Sequence, residues 1–203
     1  MMRGVMLGVL GSLALALPAA AQEAAPESRR QGFWLGAGLG GGVNLTETLD
    51  GESTGGFAGL VRLGGTLSPR WLLGGESAGW AADVGDETWA WRSNLSAVAY
   101  FYPIATKGLF VKAGPSFSVI SAGQSTTVDV DDVDVNTSVS ATDYGFGATL
   151  GAGWDIRLGR RLSLVPEVTW LLQGFEERRT STLLGDIPGT NSILLFTLGL
   201  AFH

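Results

Sequence analysis

From Gly32 onward, apolar and polar positions alternate in segments of roughly ten residues, each closed by Gly, Pro, Asn, Asp or a charged cluster. The seventh shows it most plainly. Leu162, Leu164, Pro166, Val168, Trp170 and Leu172 share one face, and Ser163, Glu167, Thr169 and Gln173 share the other. Eight segments can be read: Phe33 to Val43, Gly56 to Leu67, Trp71 to Ala82, Thr88 to Tyr102, 109 to 120, Asp143 to Leu158, Leu162 to Gln173 and Ser192 to Phe202. Each is long enough for a membrane-crossing β-strand, which needs about 9 to 11 residues. A soluble sandwich alternates too, so periodicity alone does not choose between water and lipid; taken with the placement of charges, connections and aromatics, it predicts an all-β fold, an eight-stranded antiparallel up-and-down transmembrane β-barrel.

Charges fall on the less apolar face of each segment. One register puts Arg62, Glu76, Arg92, Lys112, Asp155, Arg157 and Glu167 together. Sliding it by one residue would turn Arg62, Arg92 and Lys112 toward lipid, at ~2 to 4 kcal/mol for each cation near the midplane. The charges therefore belong inside. Arg62 and Glu76 are nearly equidistant from the turn at Ser68-Pro69, and Glu76 and Arg92 are similarly placed about 83 to 87, so each pair is expected at similar depth. An eight-stranded lumen holds little more than side chains. Arg62, Glu76, Arg92, Lys112 and Glu167 are thus expected to form an interior polar network, and inward glycines such as Gly145, Gly147, Gly151 and Gly153 to leave room for water or bulky neighbours.

Connections at 44 to 55, 121 to 142 and 174 to 191 are long and those at 68 to 70 and 159 to 161 are short, as in barrels with short turns at one end and loops at the other, with the pair at 83 to 87 and 103 to 108, of about equal length, as the exception. On the outward register Phe33, Trp71, Phe101 and Phe202 gather at the turn end. Trp89, Trp91, Tyr144, Phe146 and Trp170 gather at the loop end. Two aromatic bands are what the two membrane interfaces favour.

Residues 1 to 21 carry Arg3, an apolar run from Val5 to Leu17, then Pro18 and Ala19 to Ala21, and are expected to be a signal peptide. Residues 22 to 31 would form a short periplasmic segment before a barrel over 32 to 203. With the signal peptide, the eight segments, the short-long connections and the closing T-L-G-L-A-F-H, the chain resembles the outer-membrane β-barrels of OmpA and OmpX type. That resemblance implies the bacterial outer membrane with both termini periplasmic. Its implied partners are outer-membrane lipid, lipopolysaccharide and the barrel-assembly machinery, the last reading Phe202 as an assembly signal. It implies a non-enzymatic structural or surface-interaction role with a filled lumen. A narrow porin-like or OmpW-like channel is the alternative, and an extracellular ligand is left open.

Chemistry narrows these readings further. The only histidine is His203, expected to be a solvated terminal residue at the opposite end from the loops, so a histidine base beside an outer-leaflet nucleophile is not available. No cofactor is implied. Gly36, Gly38 and Gly41 satisfy the spacing of a dinucleotide motif, but no helix-opening pattern follows them. A net charge of −6 argues against nucleic acid. Asp129, Asp131, Asp132, Asp134 and Asn136 could offer oxygen ligands to calcium, yet the interleaved valines predict a projecting acidic hairpin, and no metal is assigned. Arg70, Lys107, Arg160 and Arg161 mark the turn end, where anionic head groups would meet them.

Overall fold

The computed structural model describes residues 32–46, 54–85, 88–130, 133–175 and 189–203. The expected signal peptide and the 22–31 segment lie outside them. Nine strand segments run in chain order: β1 (Phe33–Asn44), β2 (Thr54–Ser68), β3 (Trp71–Gly85), β4 (Thr88–Phe101), β5 (Leu109–Val130), β6 (Val133–Trp154), β7 (Ile156–Arg157), β8 (Leu162–Gly174) and β9 (Thr190–Phe202). Each pairs antiparallel with its neighbours, and β7 continues β6 past a break at Asp155, so the nine segments make eight staves. The wall closes where β9 pairs with β1, from Leu35 opposite Phe202 to Asn44 opposite Ile193. It is the expected eight-stranded up-and-down barrel.

Outward positions are greasy throughout. Phe33, Leu35, Leu39, Val61, Leu63, Phe196, Leu198 and Leu200 are all exposed. The expected aromatic bands are present: Trp71 lies 4.7 Å from Phe101 near the turn end, while Phe117 packs at 5.8 Å against Tyr144 near the loop end. Trp154 joins the turn-end band. Exposed Arg70, Lys107, Arg160 and Arg161 lie in the connections at that end.

The turns are built locally. Ser68 Oγ accepts from the backbone N–H groups of Arg70 (3.3 Å) and Trp71 (3.1 Å), closing the β2–β3 turn around Pro69. Gly108 adopts φ +74° and its carbonyl accepts from the Asp155 N–H at 2.9 Å. A Cβ there would stand 2.2 Å from the Asp155 carbonyl oxygen, so only glycine lets the β4–β5 turn reach the break in β6.

The expected hairpin is present and runs well beyond the interleaved valines, and one charge expected inside lies elsewhere. The 121–142 connection is largely strand: β5 and β6 have 22 residues each and stay paired up to Val130 opposite Val133. Its threonines and valines favour extended backbone, and the two strands satisfy each other's ladder without a membrane. The pairing of Asp129 with Asp134 falls in this hairpin, while Asp131 and Asp132 lie outside the described residues. At about 3.4 Å per residue such strands run to roughly 75 Å, against the ~30 Å of a hydrocarbon core. Arg157, expected inside, is exposed instead, because past the break at Asp155 it sits in the two-residue β7 next to the turn.

Replacing Gly108 by Ala should destabilise the barrel by about 1 to 3 kcal/mol through left-handed backbone strain and the clash with Asp155. Urea unfolding in lipid vesicles, followed by tryptophan fluorescence, checks this; an unchanged midpoint would contradict it.

Candidate functional site: the filled lumen

The inward face is layered along the barrel axis. At the turn end Trp34, Tyr100, Tyr102 and Phe110 pack with Leu72, Val98, Val165 and Ala201. Trp34 meets Tyr100 edge-on at 5.0 Å, and Phe110 lies 5.7 Å from Tyr100 and 5.5 Å from Tyr102. Inward glycines make the room: a Cβ on Gly74 would be 2.9 Å from the Trp34 ring, and one on Gly153 would be 2.6 Å from the Phe110 ring.

Above this layer the structure brings four of the expected polar residues together. Arg62 on β2 and Glu76 on β3 are direct register partners. Lys112 comes from β5 and Glu167 from β8. Their bonds cross the lumen. Arg62 Nη1 reaches Glu167 Oε2 at 2.5 Å, and Lys112 Nζ bonds Glu76 Oε1 at 2.5 Å and also Glu167 Oε1. Tyr100 donates its hydroxyl to Glu76 Oε2 at 2.6 Å, and Thr169 donates to Glu167 Oε1 at 2.9 Å. The Arg62 guanidinium lies 5.6 Å from the ring centroids of both Tyr100 and Phe110. Two cations face two carboxylates, all buried, so the group carries no net charge. Such charges are tolerable away from water only when paired and hydrogen-bonded on most sides, as they are here.

Arg92 is not part of this quartet. Strands β3 and β4 run almost to the tip of their turn, so Glu76 pairs with Ser96 and Arg92 with Trp80, four residues nearer the loops. There Arg92 Nη1 donates to Asn191 Oδ1 at 2.6 Å, and its guanidinium lies 5.9 Å from the Trp80 ring centroid. Asn191 donates to Gln173 Oε1 (2.8 Å), Gln173 donates to Asn94 Oδ1 (2.8 Å), and Asn94 donates to Ser116 Oγ (2.9 Å). Beside this amide chain stands a second apolar cluster containing Trp80, Leu60, Leu171, Ile193 and Leu195. Trp80 donates its indole N–H to the Gly42 carbonyl at 3.2 Å.

Reasoning from charge alone missed the interior aromatics and the amide chain. The signal was parity. Trp80 shares a face with Glu76, Tyr100 shares one with Arg92, and Trp34 follows outward Phe33 by one position. His203 also departs from expectation. Its side chain is only 14% exposed and its Nε2 lies 3.3 Å from Asp155 Oδ2, because the chain end folds over the rim with its backbone N–H on the Arg161 carbonyl. The inward glycines are covered by bulky neighbours: Gly151 by Lys112, Gly153 by Phe110 and Glu167, Gly145 by Phe175.

A closed sheet that is apolar outside, ringed by aromatics at both ends and charge-paired inside is a transmembrane β-barrel. The chain belongs to the outer membrane protein beta-barrel domain family, whose model matches residues 9–176. Among solved structures it is similar to Neisserial surface protein A, with 15% identity and a TM-score of 0.53 over 89% of this chain and 99% of that one. It also matches Ail, the attachment invasion locus protein of Yersinia pestis, at 13% identity and a TM-score of 0.46, over 85% of this chain and 98% of that one. The N-terminal β-barrel domain of Pseudomonas aeruginosa OprF matches at 14% identity and a TM-score of 0.38, over 85% and 97% of the two chains. At these identities the likeness is one of fold. No curated protein sequence matches the chain. Membership places the protein in the bacterial outer membrane, among its lipid and lipopolysaccharide.

Substituting Lys112 by Met leaves Glu76 and Glu167 facing each other without a cation and should cost about 3 to 5 kcal/mol. Arg92→Met removes a cation hydrogen-bonded to the neutral amide of Asn191 and should cost about 1.5 to 3 kcal/mol. Equilibrium unfolding of both variants in lipid vesicles measures the difference; equal losses would contradict the assignment of Arg92 to a separate network.

Proposed function

We propose that the protein is a non-enzymatic outer-membrane barrel of structural and surface-interaction type, whose interior polar network seals the lumen and whose loop end engages material outside the cell. The observation that carries this reading is the β5–β6 hairpin, whose 22-residue strands far exceed what a membrane crossing uses. Among the described residues β4 accompanies β5 only as far as Gln124, and β8 accompanies β6 only as far as Phe146. Beyond those points each strand of the hairpin has one partner among the described residues. In this reading its outer edges meet what lies above the membrane. The layered packing of Trp34, Tyr100, the ion quartet and the amide chain supports a sealed interior over the porin-like alternative.

In this reading residues 1–21 direct export, both termini face the periplasm, and Phe202 at the end of β9 is what the assembly machinery recognises. Exposed Phe202 opposite both Leu35 and Leu162 supports that role, since it marks the strand that closes the wall.

Removal of residues 124–139 should leave a barrel that still migrates differently on gels before and after boiling, while binding of cells carrying it to epithelial monolayers falls to the level of cells lacking the protein. Undiminished binding would remove the surface-interaction reading. Planar-bilayer recording of the intact protein should show no reproducible conductance above detergent controls; stable unitary steps would favour the channel. Phe202→Ser should slow insertion by purified assembly machinery several-fold while leaving spontaneous folding into detergent unchanged.

A further inference from the structure

The cations at the turn end are not spread evenly around the barrel, and all three turns there lie within the described residues. Arg157, Arg160 and Arg161 fall on the single turn from β7 to β8, where the Leu158 and Gly159 N–H groups both donate to the Leu162 carbonyl, at 2.9 and 3.2 Å. All three are exposed. Exposed Lys107 stands on the neighbouring β4–β5 turn, which the 2.9 Å bond from the Asp155 N–H to the Gly108 carbonyl ties to the same stretch of rim. Arg70 is the cation of the β2–β3 turn, half a circuit from Arg160 in a ring of eight staves.

The crowded sector also carries the marks of a membrane surface. Trp154 is exposed on the outward face, and a Cβ on Gly108 would be 3.3 Å from its Cδ1, so the indole leans against the turn that holds Lys107. Leu158 and Leu162 are exposed on either side of the Arg160–Arg161 pair, and Leu109 is exposed two residues after Lys107. One strand residue advances about 3.4 Å, so the guanidinium of Arg161, next to lipid-facing Leu162, reaches the level at which head groups begin. The bilayer beside these cations presents phosphate at that level. Asp155, the carboxylate of this rim among the described residues, is buried with His203 Nε2 at 3.3 Å.

Two features define the occupant. Apolar side chains border the cations, so it brings acyl chains as well as charge; an acidic soluble protein would have to displace the lipid that Trp154, Leu158 and Leu162 meet. The cations also fall in two groups, Lys107 on one side of Trp154 and the arginines on the other, two staves or about 10 Å apart. Two phosphates joined by a short bridge answer both groups, where a single phosphate answers one. Resting on the reading that the turn end faces the periplasm, and so the leaflet of glycerophospholipid, we propose that this sector holds one glycerophospholipid with two phosphates, of the cardiolipin class. One phosphate sits on Arg160 and Arg161, the other on Lys107, and the acyl chains run along Trp154, Leu158 and Leu162.

The test uses the full chain refolded into dioleoylphosphatidylethanolamine vesicles that also hold cardiolipin and dioleoylphosphatidylglycerol at equal phosphate content. Native mass spectrometry after release into detergent should show one retained cardiolipin per barrel, in preference to phosphatidylglycerol. Arg161→Gln should weaken that retention about fivefold and the double variant R160Q/R161Q roughly thirtyfold, the worth of one and of two cations at a membrane surface. Arg70→Gln, on the opposite side, should leave it unchanged. Boiled and unboiled gel migration confirms that each variant is folded. Equal retention of the two anionic lipids, or a loss in R70Q as large as in R161Q, would overturn the proposal. Orientation is read separately. The chain has no cysteine, so Gly159→Cys, with nothing within 4 Å of its Cβ, puts a single thiol on the arginine turn. A membrane-impermeant maleimide should label it only after the outer membrane is opened. Labelling in intact cells would overturn the periplasmic placement, and the occupant with it, whatever the vesicles show.

Discussion

A polypeptide inside hydrocarbon must satisfy every backbone donor and acceptor from within itself, and the rest of this structure follows from that constraint. A sheet meets it only by closing, which is what β9 does against β1. Closure with eight staves fixes a narrow bore, and a narrow bore must be filled by side chains. The inward positions therefore carry two demands at once, volume and polarity. Trp34, Phe110 and Trp80 supply volume where glycines on facing or neighbouring strands yield it, and the ion quartet supplies polarity that cancels within itself.

The quartet also explains why polarity inside does not imply a passage. Each carboxylate of Glu76 and Glu167 is held from more than one side, by Lys112 and either Tyr100 or Arg62. The aromatic layer closes the bore toward the turns, and the amide chain from Arg92 to Asn94 occupies the loop side. In the proposed reading the outer wall and the hairpin are the surfaces that meet other molecules, one facing lipid and the other facing the medium.

Much of the wall was legible in the sequence because strand periodicity is exact. Once Arg62 is inward, every second residue follows, and counting back from Ser68-Pro69 sets it opposite Glu76. The same counting misplaced Arg92, since the extent of pairing at the β3–β4 turn, from Asp83 to Thr88, depends on how far two strands stay in register and not on the turn residues alone. The contact of Lys112 with Glu167 was beyond reach for a different reason. It joins β5 to β8 through the lumen, and which staves face each other at a given depth depends on barrel tilt and shear, which alternation does not encode. The interleaved valines around Asp129 to Asp134 indicated a hairpin, but not that its ladder runs unbroken into the membrane strands, because the Ser, Thr and Gly residues between look like loop.

Arg62 and Glu167 are separated by 105 residues, and their bond joins the second stave to the seventh. Until the sheet has curled far enough for those walls to approach, Arg62 and Lys112 lack their carboxylate shared across the bore, and a half-inserted sheet carries unneutralised charge into hydrocarbon. Assembly intermediates are thereby disfavoured in the bilayer itself, and the finished barrel is separated from them by a gap in electrostatic energy. The quartet thus ties charge neutralisation to closure, since Glu167 reaches Arg62 and Lys112 only across the finished bore.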